Sequence, residues 1–114
     1  MCGIVGIFGP KASEKSLRRS VDLLINRGPD FQSIVQPNSY LSLGAARLAM
    51  TDPLPRSNQP FEKYENWIVF NGEVYNHNEL REWLKSTHGV TFETTSDTEV
   101  LLEILRIYGT EGCK

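Results

Sequence analysis

The chain has 114 residues, with 12 Lys and Arg against 14 Asp and Glu, a formal charge of −2. That length admits at most one domain with a small core. The 39% hydrophobic and 23% charged composition is that of a globular chain rather than a disordered one, and the mild acidity without a basic cluster excludes the electrostatic footprint of a nucleic-acid or anionic-membrane binder. The longest apolar run, Ile4 to Phe8, is far shorter than the roughly 20 residues of a membrane span. No charged leader precedes it, so no secretory signal is expected. Cysteines at positions 2 and 113 make no disulfide framework, and a reducing, cytoplasmic setting is expected. They also lack, with His77 and His88, the paired spacing of a zinc site, so no metal is expected. Both histidines read as solvated helix-end residues.

In chain order, residues 2 to 8 (Cys-Gly-Ile-Val-Gly-Ile-Phe) predict a strand whose glycines suggest close approach to its backbone. Residues 14 to 25 predict a helix: Leu17, Val21, Leu24 and Ile25 share a face, and Ser13 can cap it. Tyr40 to Met50 predicts a strand followed by a Pro-punctuated loop. Trp67 to Asn71 predicts a compact strand running into Gly72. A helix is expected from near His77, with Asn76 and Glu79 as a capping box and Leu80, Trp83 and Leu84 on one face. Thr91 to Thr94 predicts a short strand. A last helix follows Ser96, with Glu99 at the capping-box position, a stripe of Leu101, Ile104, Leu105 and Tyr108, and Gly109 as its stop. Trp67, Phe70, Trp83 and the Leu/Ile stripes are assigned to the core. The expected fold class is α+β, with layered helices and hairpin-like strand pairs.

Cys2 carries the sharpest chemical possibility. The small Cys side chain should permit removal of Met1, which would make Cys2 the N-terminus. A thiol with a reference pKa near 8.5 would then share a residue with an α-amine near 7.7–8.0, a self-contained nucleophile and base. From position alone, a small buried residue opening a strand is the plainer alternative. Further polar residues gather at element ends. Arg27-Gly28-Pro29-Asp30 follows the first helix, Arg47 sits inside an apolar strand, Asn71-Gly72-Glu73 closes another, and Asp97 opens the last helix. A buried Arg47 needs a partner, because a lone buried charge is costly. Asn71-Gly72 also reads as a turn, Asp97 as a helix-dipole residue and Glu73 as a solvated turn residue.

The order of the motifs adds to these alternatives without removing them. Met-Cys-Gly-Ile-Val-Gly-Ile-Phe, Arg-Gly-Pro-Asp, Ala-Arg-Leu, Asn-Gln-Pro-Phe, Asn-Gly-Glu-Val-Tyr-Asn and Ser-Asp-Thr-Glu occur in that sequence. The chain thereby resembles the class II glutamine amidotransferases, above all the glutaminase domain of glutamine-dependent asparagine synthetases, from Cys2 to about Tyr108. The resemblance implies an N-terminal nucleophile hydrolase-like, layered αββα fold, incomplete here at its C-terminus. It implies Cys2 as nucleophile with its α-amine as base, and an oxyanion hole from the Asn71 side-chain amide and the Gly72 N–H. It implies Arg47 on the substrate carboxylate, Glu73 and Asp97 on its ammonium, and the backbones beside Leu48 and Met50 along the pocket. Arg27 and Asp30 are read as scaffolding for the Cys2 site.

Three departures stand out. Asn26 replaces the His that many members carry before Arg-Gly-Pro-Asp. Met50-Thr51-Asp52-Pro53 stands where the synthetases usually have an Ile-Asp or Val-Asp pair, which hints at a divergent branch. The chain is also expected to stop before the family's second sheet is complete, leaving an apolar face exposed and favouring association with another chain, such as a homodimer. No Gly-rich phosphate loop is present, so the resemblance assigns ATP and magnesium to a synthetase domain outside these residues. The implied partners are glutamine and a synthetase domain or chain receiving ammonia. The readings weighed are a glutaminase serving an asparagine-synthetase-like amidation, a non-catalytic glutamine-binding or interaction module, and an amidotransferase serving another acceptor, such as a sugar.

Overall fold

The computed structural model describes residues 2–10, 12–49 and 53–114. The first strand, β1 (Gly3–Phe8), leads to helix α1 (Glu14–Asp22), whose first turn is capped as expected by Ser13 Oγ accepting the Ser16 N–H at 3.2 Å. The helix stops at Asp22, short of the predicted Ile25. Residues 23–27 form tight turns in which Leu24 N–H donates to the Val21 carbonyl and Arg27 N–H to the Leu24 carbonyl. Two antiparallel strands follow, β2 (Phe31–Asn38) and β3 (Leu41–Arg47). Strand β2 is not anticipated by the sequence pattern.

The sheet order is β1-β3-β2, all antiparallel, so β3 is central. Its alternate residues Ser42, Gly44 and Ala46 lie toward α1. A Cβ on Gly44 would come within 2.4 Å of Val21 Cγ2, so the absence of a side chain lets the helix seat Leu17 and Val21 on the sheet. On the opposite face Leu43 and Ala45 are buried, while Ile4, Phe8 and Phe31 are exposed.

The remaining elements form a second cluster. Strands β4 (Phe61–Lys63) and β5 (Asn66–Ile68) pair as a short antiparallel hairpin. The predicted strand at Trp67 to Asn71 therefore ends at Ile68, and Asn71 lies in the loop beyond it. Helices α2 (His77–His88) and α3 (Asp97–Tyr108) enclose a core of Leu84, Val90, Val100 and Ile104. Gly89, at φ 65°, terminates α2 in the left-handed region that favours glycine. Trp67 and Trp83 are exposed rather than core. Trp83 instead stacks on Tyr108, with ring centroids 5.7 Å apart. His88, exposed as expected, hydrogen-bonds Tyr108 Oη at 2.6 Å.

Two expectations near α3 give way to one buried charge cluster. Thr91 to Thr94 form no strand. The Glu93 and Thr94 N–H groups donate to the Glu99 carboxylate, at 3.0 Å (to Oε1) and 2.8 Å (to Oε2), instead of to a neighbouring strand. Glu99 therefore does not reach back to the Ser96 N–H as a capping box would; that N–H donates to Thr94 Oγ1 at 3.2 Å. Lys63 Nζ, on β4, lies 2.7 Å from Glu99 Oε1 and 2.9 Å from Glu103 Oε1, and Arg106 closes on Glu103 at 2.7 Å. Burial alone would lower the Lys63 pKa, but its bonds to Glu99 and Glu103 outweigh this and hold it above its ordinary value. Burial likewise opposes ionisation of Glu99, yet the Lys63, Glu93 and Thr94 hydrogen bonds keep it below the usual carboxylate range. The second expected capping box also does not form, since the Asn76 side chain makes no cap hydrogen bond to α2.

Candidate active site

The antiparallel register sets the first contact. Gly3 pairs with Ala46, so the residue before β1 and the residues ending β3 meet at one edge of the sheet. Cys2 there is half-buried, and its Sγ accepts the Leu48 N–H at 3.4 Å while lying 3.7 Å from the Leu48 carbonyl oxygen. The Arg-Gly-Pro-Asp turn clamps the same edge. Asp30 N–H donates to the Arg47 carbonyl at 3.1 Å, and Asp30 Oδ2 accepts the Ala49 N–H at 2.8 Å. The chain passes so close that a Cβ on Gly28 would sit 2.1 Å from the Ala46 carbonyl oxygen. Asp30 thus scaffolds the strand end opposite Cys2.

Arg47, 5% exposed, has the partners that its burial demands. Its Nη1 donates to Asn58 Oδ1 at 2.7 Å and to the Leu54 carbonyl at 3.3 Å. A guanidinium braced in this way is a rigid planar donor rather than a mobile point charge.

The other half of the site comes from the loop after β5 and the start of α3. Asn71, Gly72 and Glu73 are exposed on that loop. A Cβ on Gly72 would lie 2.8 Å from the Phe70 ring, so glycine here makes room for that ring. Asp97 is buried in the first turn of α3, where its Oδ2 accepts the Val74 N–H at 2.9 Å and Ser96 Oγ accepts the Thr98 N–H at 3.1 Å. Asp97 is therefore both a helix-start acid and the anchor of the Asn71–Glu73 loop.

Cys2, Arg47, Leu48, Asn71, Gly72, Glu73 and Asp97 line one cleft of about 400 Å3. Of the expected site residues, Met50 lies outside the described residues. The cleft also takes Ser57, Gln59, Phe70, Ser96 and Thr98, with Tyr75, 90% exposed, at its rim. The sequence pattern gives none of these a place in the site: Phe70 reads as core and Ser96 as a helix start, although the Asn-Gln-Pro-Phe motif contains Gln59. The arrangement brings a thiol, a guanidinium, two carboxylates and an amide-bearing loop around a space fit for a small zwitterion with a polar side chain.

The chain also matches known proteins along its length. The glutamine amidotransferase domain family matches residues 1–114. The glutamine-hydrolyzing asparagine synthetase 1 of Bacillus subtilis (strain 168) is 40% identical over 120 residues, covering 98% of this chain and 18% of the relative. Its namesake from Arabidopsis thaliana is 38% identical over 117 residues, covering 97% and 19%. A probable glutamine-hydrolyzing asparagine synthetase of Acanthamoeba polyphaga mimivirus is 34% identical over 119 residues, covering 98% and 21%. The chain thus spans about a fifth of the length of these relatives. On this evidence the chain belongs to the glutamine amidotransferase domain family, like the corresponding part of the asparagine synthetases.

Proposed function

We propose that the chain is a class II, N-terminal nucleophile glutaminase domain that hydrolyses the side-chain amide of glutamine and supplies ammonia to an asparagine-synthetase-like amidation. The observation that carries this reading is the convergence of Cys2, Arg47, Asn71, Gly72, Glu73 and Asp97 on one cleft. The layered αββα fold goes with the same reading, with β1 bringing Cys2 to the site.

In this mechanism removal of Met1 frees the Cys2 α-amine. The amine takes the thiol proton, and Sγ attacks the glutamine Cδ to form a C–S bond and a tetrahedral oxyanion. The Asn71 side-chain NH2 and the Gly72 N–H donate to that oxyanion; each such donor is typically worth about 10²–10³ in kcat. The proton passes from the amine to the amide nitrogen, the C–N bond breaks and ammonia leaves. Water then adds to the thioester, releases glutamate and returns the proton to the thiol. Arg47 grips the substrate carboxylate, Glu73 and Asp97 receive its ammonium, and the backbones beside Leu48 and Met50 complete the pocket. Amidation of the acceptor, with ATP and magnesium, belongs to a synthetase domain or chain beyond these residues.

The test is ammonia and glutamate release from glutamine by the Met1-free protein beside Cys2→Ala and Asn71→Ala. Equimolar products are expected from the wild type, none from Cys2→Ala, and a kcat reduced about 10²-fold or more in Asn71→Ala. Product formation that survives Cys2→Ala contradicts the proposal.

A further inference from the structure

The two halves of the cleft are joined by one buried amide. Gln59, 7% exposed, accepts the Phe70 N–H on Oε1 at 2.6 Å and donates through Nε2 to Thr98 Oγ1 at 3.3 Å. Phe70 directly precedes Asn71-Gly72, and its ring occupies the space beside Gly72. Thr98 directly follows Asp97, whose carboxylate holds Val74 N–H at the far end of the same loop. The contacts therefore close a ring: Gln59 to Phe70, along the loop to Val74, across to Asp97, and through Thr98 back to Gln59. The preceding residue, Asn58, braces Arg47.

We infer that Gln59 is a positioning residue that fixes the oxyanion donors Asn71 and Gly72 relative to the ammonium-binding carboxylate Asp97. The inference rests on the glutaminase reading. An amide suits this role because it is donor and acceptor at once, so each end of the bridge is satisfied in a buried place where an unpaired group is costly. A leucine fills the same space but severs both bonds. A glutamic acid still accepts from Phe70 and can still bond the Thr98 hydroxyl. Placement errors of about 1 Å at a reacting centre cost on the order of 10²-fold in rate.

The experiment compares Gln59→Leu and Gln59→Glu for kcat, KM and thermal midpoint. Gln59→Leu is expected to lose about 10²-fold in kcat with a several-fold higher KM, while Gln59→Glu stays within about fivefold of wild type. Both variants are expected to lower the thermal midpoint by comparable amounts, Leu because it leaves the Phe70 N–H unpaired and Glu because it buries a carboxyl. A packing role alone would make activity follow stability, so a leucine variant as active as wild type, or more active than the glutamate variant, overturns the inference. Thr98→Val cuts only the arm toward Asp97 and is expected to raise KM more than it lowers kcat; any other split overturns the inference. Amide exchange at Phe70 separates the two proposals. If the wild type releases no Cys2-dependent ammonia, the glutaminase reading fails, and loss of Phe70 protection in Gln59→Leu with retention in Gln59→Glu still tests the bridge. Retained protection in Gln59→Leu overturns it.

Discussion

Replacing Lys63 by methionine removes one cation from a cluster with little access to water. The Lys63 side chain is 3% exposed and those of Glu99 and Glu103 are fully buried. Glu99 keeps its hydrogen bonds from Glu93 N–H, Thr94 N–H and Thr94 Oγ1, and Glu103 keeps Arg106 at 2.7 Å. Neither carboxylate is left bare, but Glu99 loses its ion-pair partner and Glu103 one of two. Removing one partner of a buried ion pair costs about 3–5 kcal/mol, and the surviving bonds place this case toward the lower figure. For a chain of this size that is a fall of roughly 10–20 °C in thermal midpoint. The pH dependence carries a sign. In the wild type, Glu99 is held below its ordinary pKa, so its stabilisation is present above about pH 4.3 and is lost as pH falls through the folded value. Lys63 is held above its ordinary pKa, so its stabilisation is complete below about pH 10.4 and is lost as pH rises through the folded value. Without Lys63, only the Glu93 and Thr94 hydrogen bonds oppose the burial of Glu99, so its protonated form is more accessible than in the wild type. The variant should therefore recover part of its deficit between about pH 7 and pH 5, where the wild type is still level. Urea unfolding of both proteins at the two pH values measures this. A deficit under about 1 kcal/mol at pH 7, or one that does not narrow at pH 5, refutes the reasoning.

Three further outcomes follow from the same structure. Asp97→Asn keeps an oxygen for the Val74 N–H but removes the charge, so KM for glutamine should rise about tenfold or more while the thermal midpoint stays close to wild type. Arg47→Lys keeps the charge but loses the planar fork braced by Asn58, and steady-state kinetics should show KM raised at least about tenfold with kcat much less affected. Gly28→Ala drives a Cβ to 2.1 Å from the Ala46 carbonyl oxygen, a backbone atom that cannot swing aside, and denaturant unfolding should show a loss of about 1–3 kcal/mol or more.

The sequence makes the site more legible than the scaffold. Cys2, Arg47, Asn71, Gly72, Glu73 and Asp97 stand in short motifs whose order is informative, and they share a cleft. Strand β2 is harder to see because it is an edge strand: polar Gln32, Ser33 and Gln36 are tolerated there, and so is Pro37, which has no N–H for a ladder. Helix α1 ends early because a stripe reading cannot register the turns that carry the chain to Gly28. Thr91 to Thr94 have the composition of a strand, but Glu99 takes their N–H groups, and Glu99 itself is drawn inward by Lys63. The missing strand and the missing Glu99 capping box have one cause, a long-range ion pair that leaves no local signal. Gln59 is invisible for a similar reason, since a single amide has no spacing to read, and only the fold brings Phe70 and Thr98 to its two ends.

The account is tested most directly by the intact mass of the Met1-free protein before and after treatment with an electrophilic ketone analogue of glutamine, beside Cys2→Ala. It predicts one adduct on the wild type, suppressed by excess glutamine, and none on the variant. An unmodified wild type, or an equal adduct on Cys2→Ala, would contradict it.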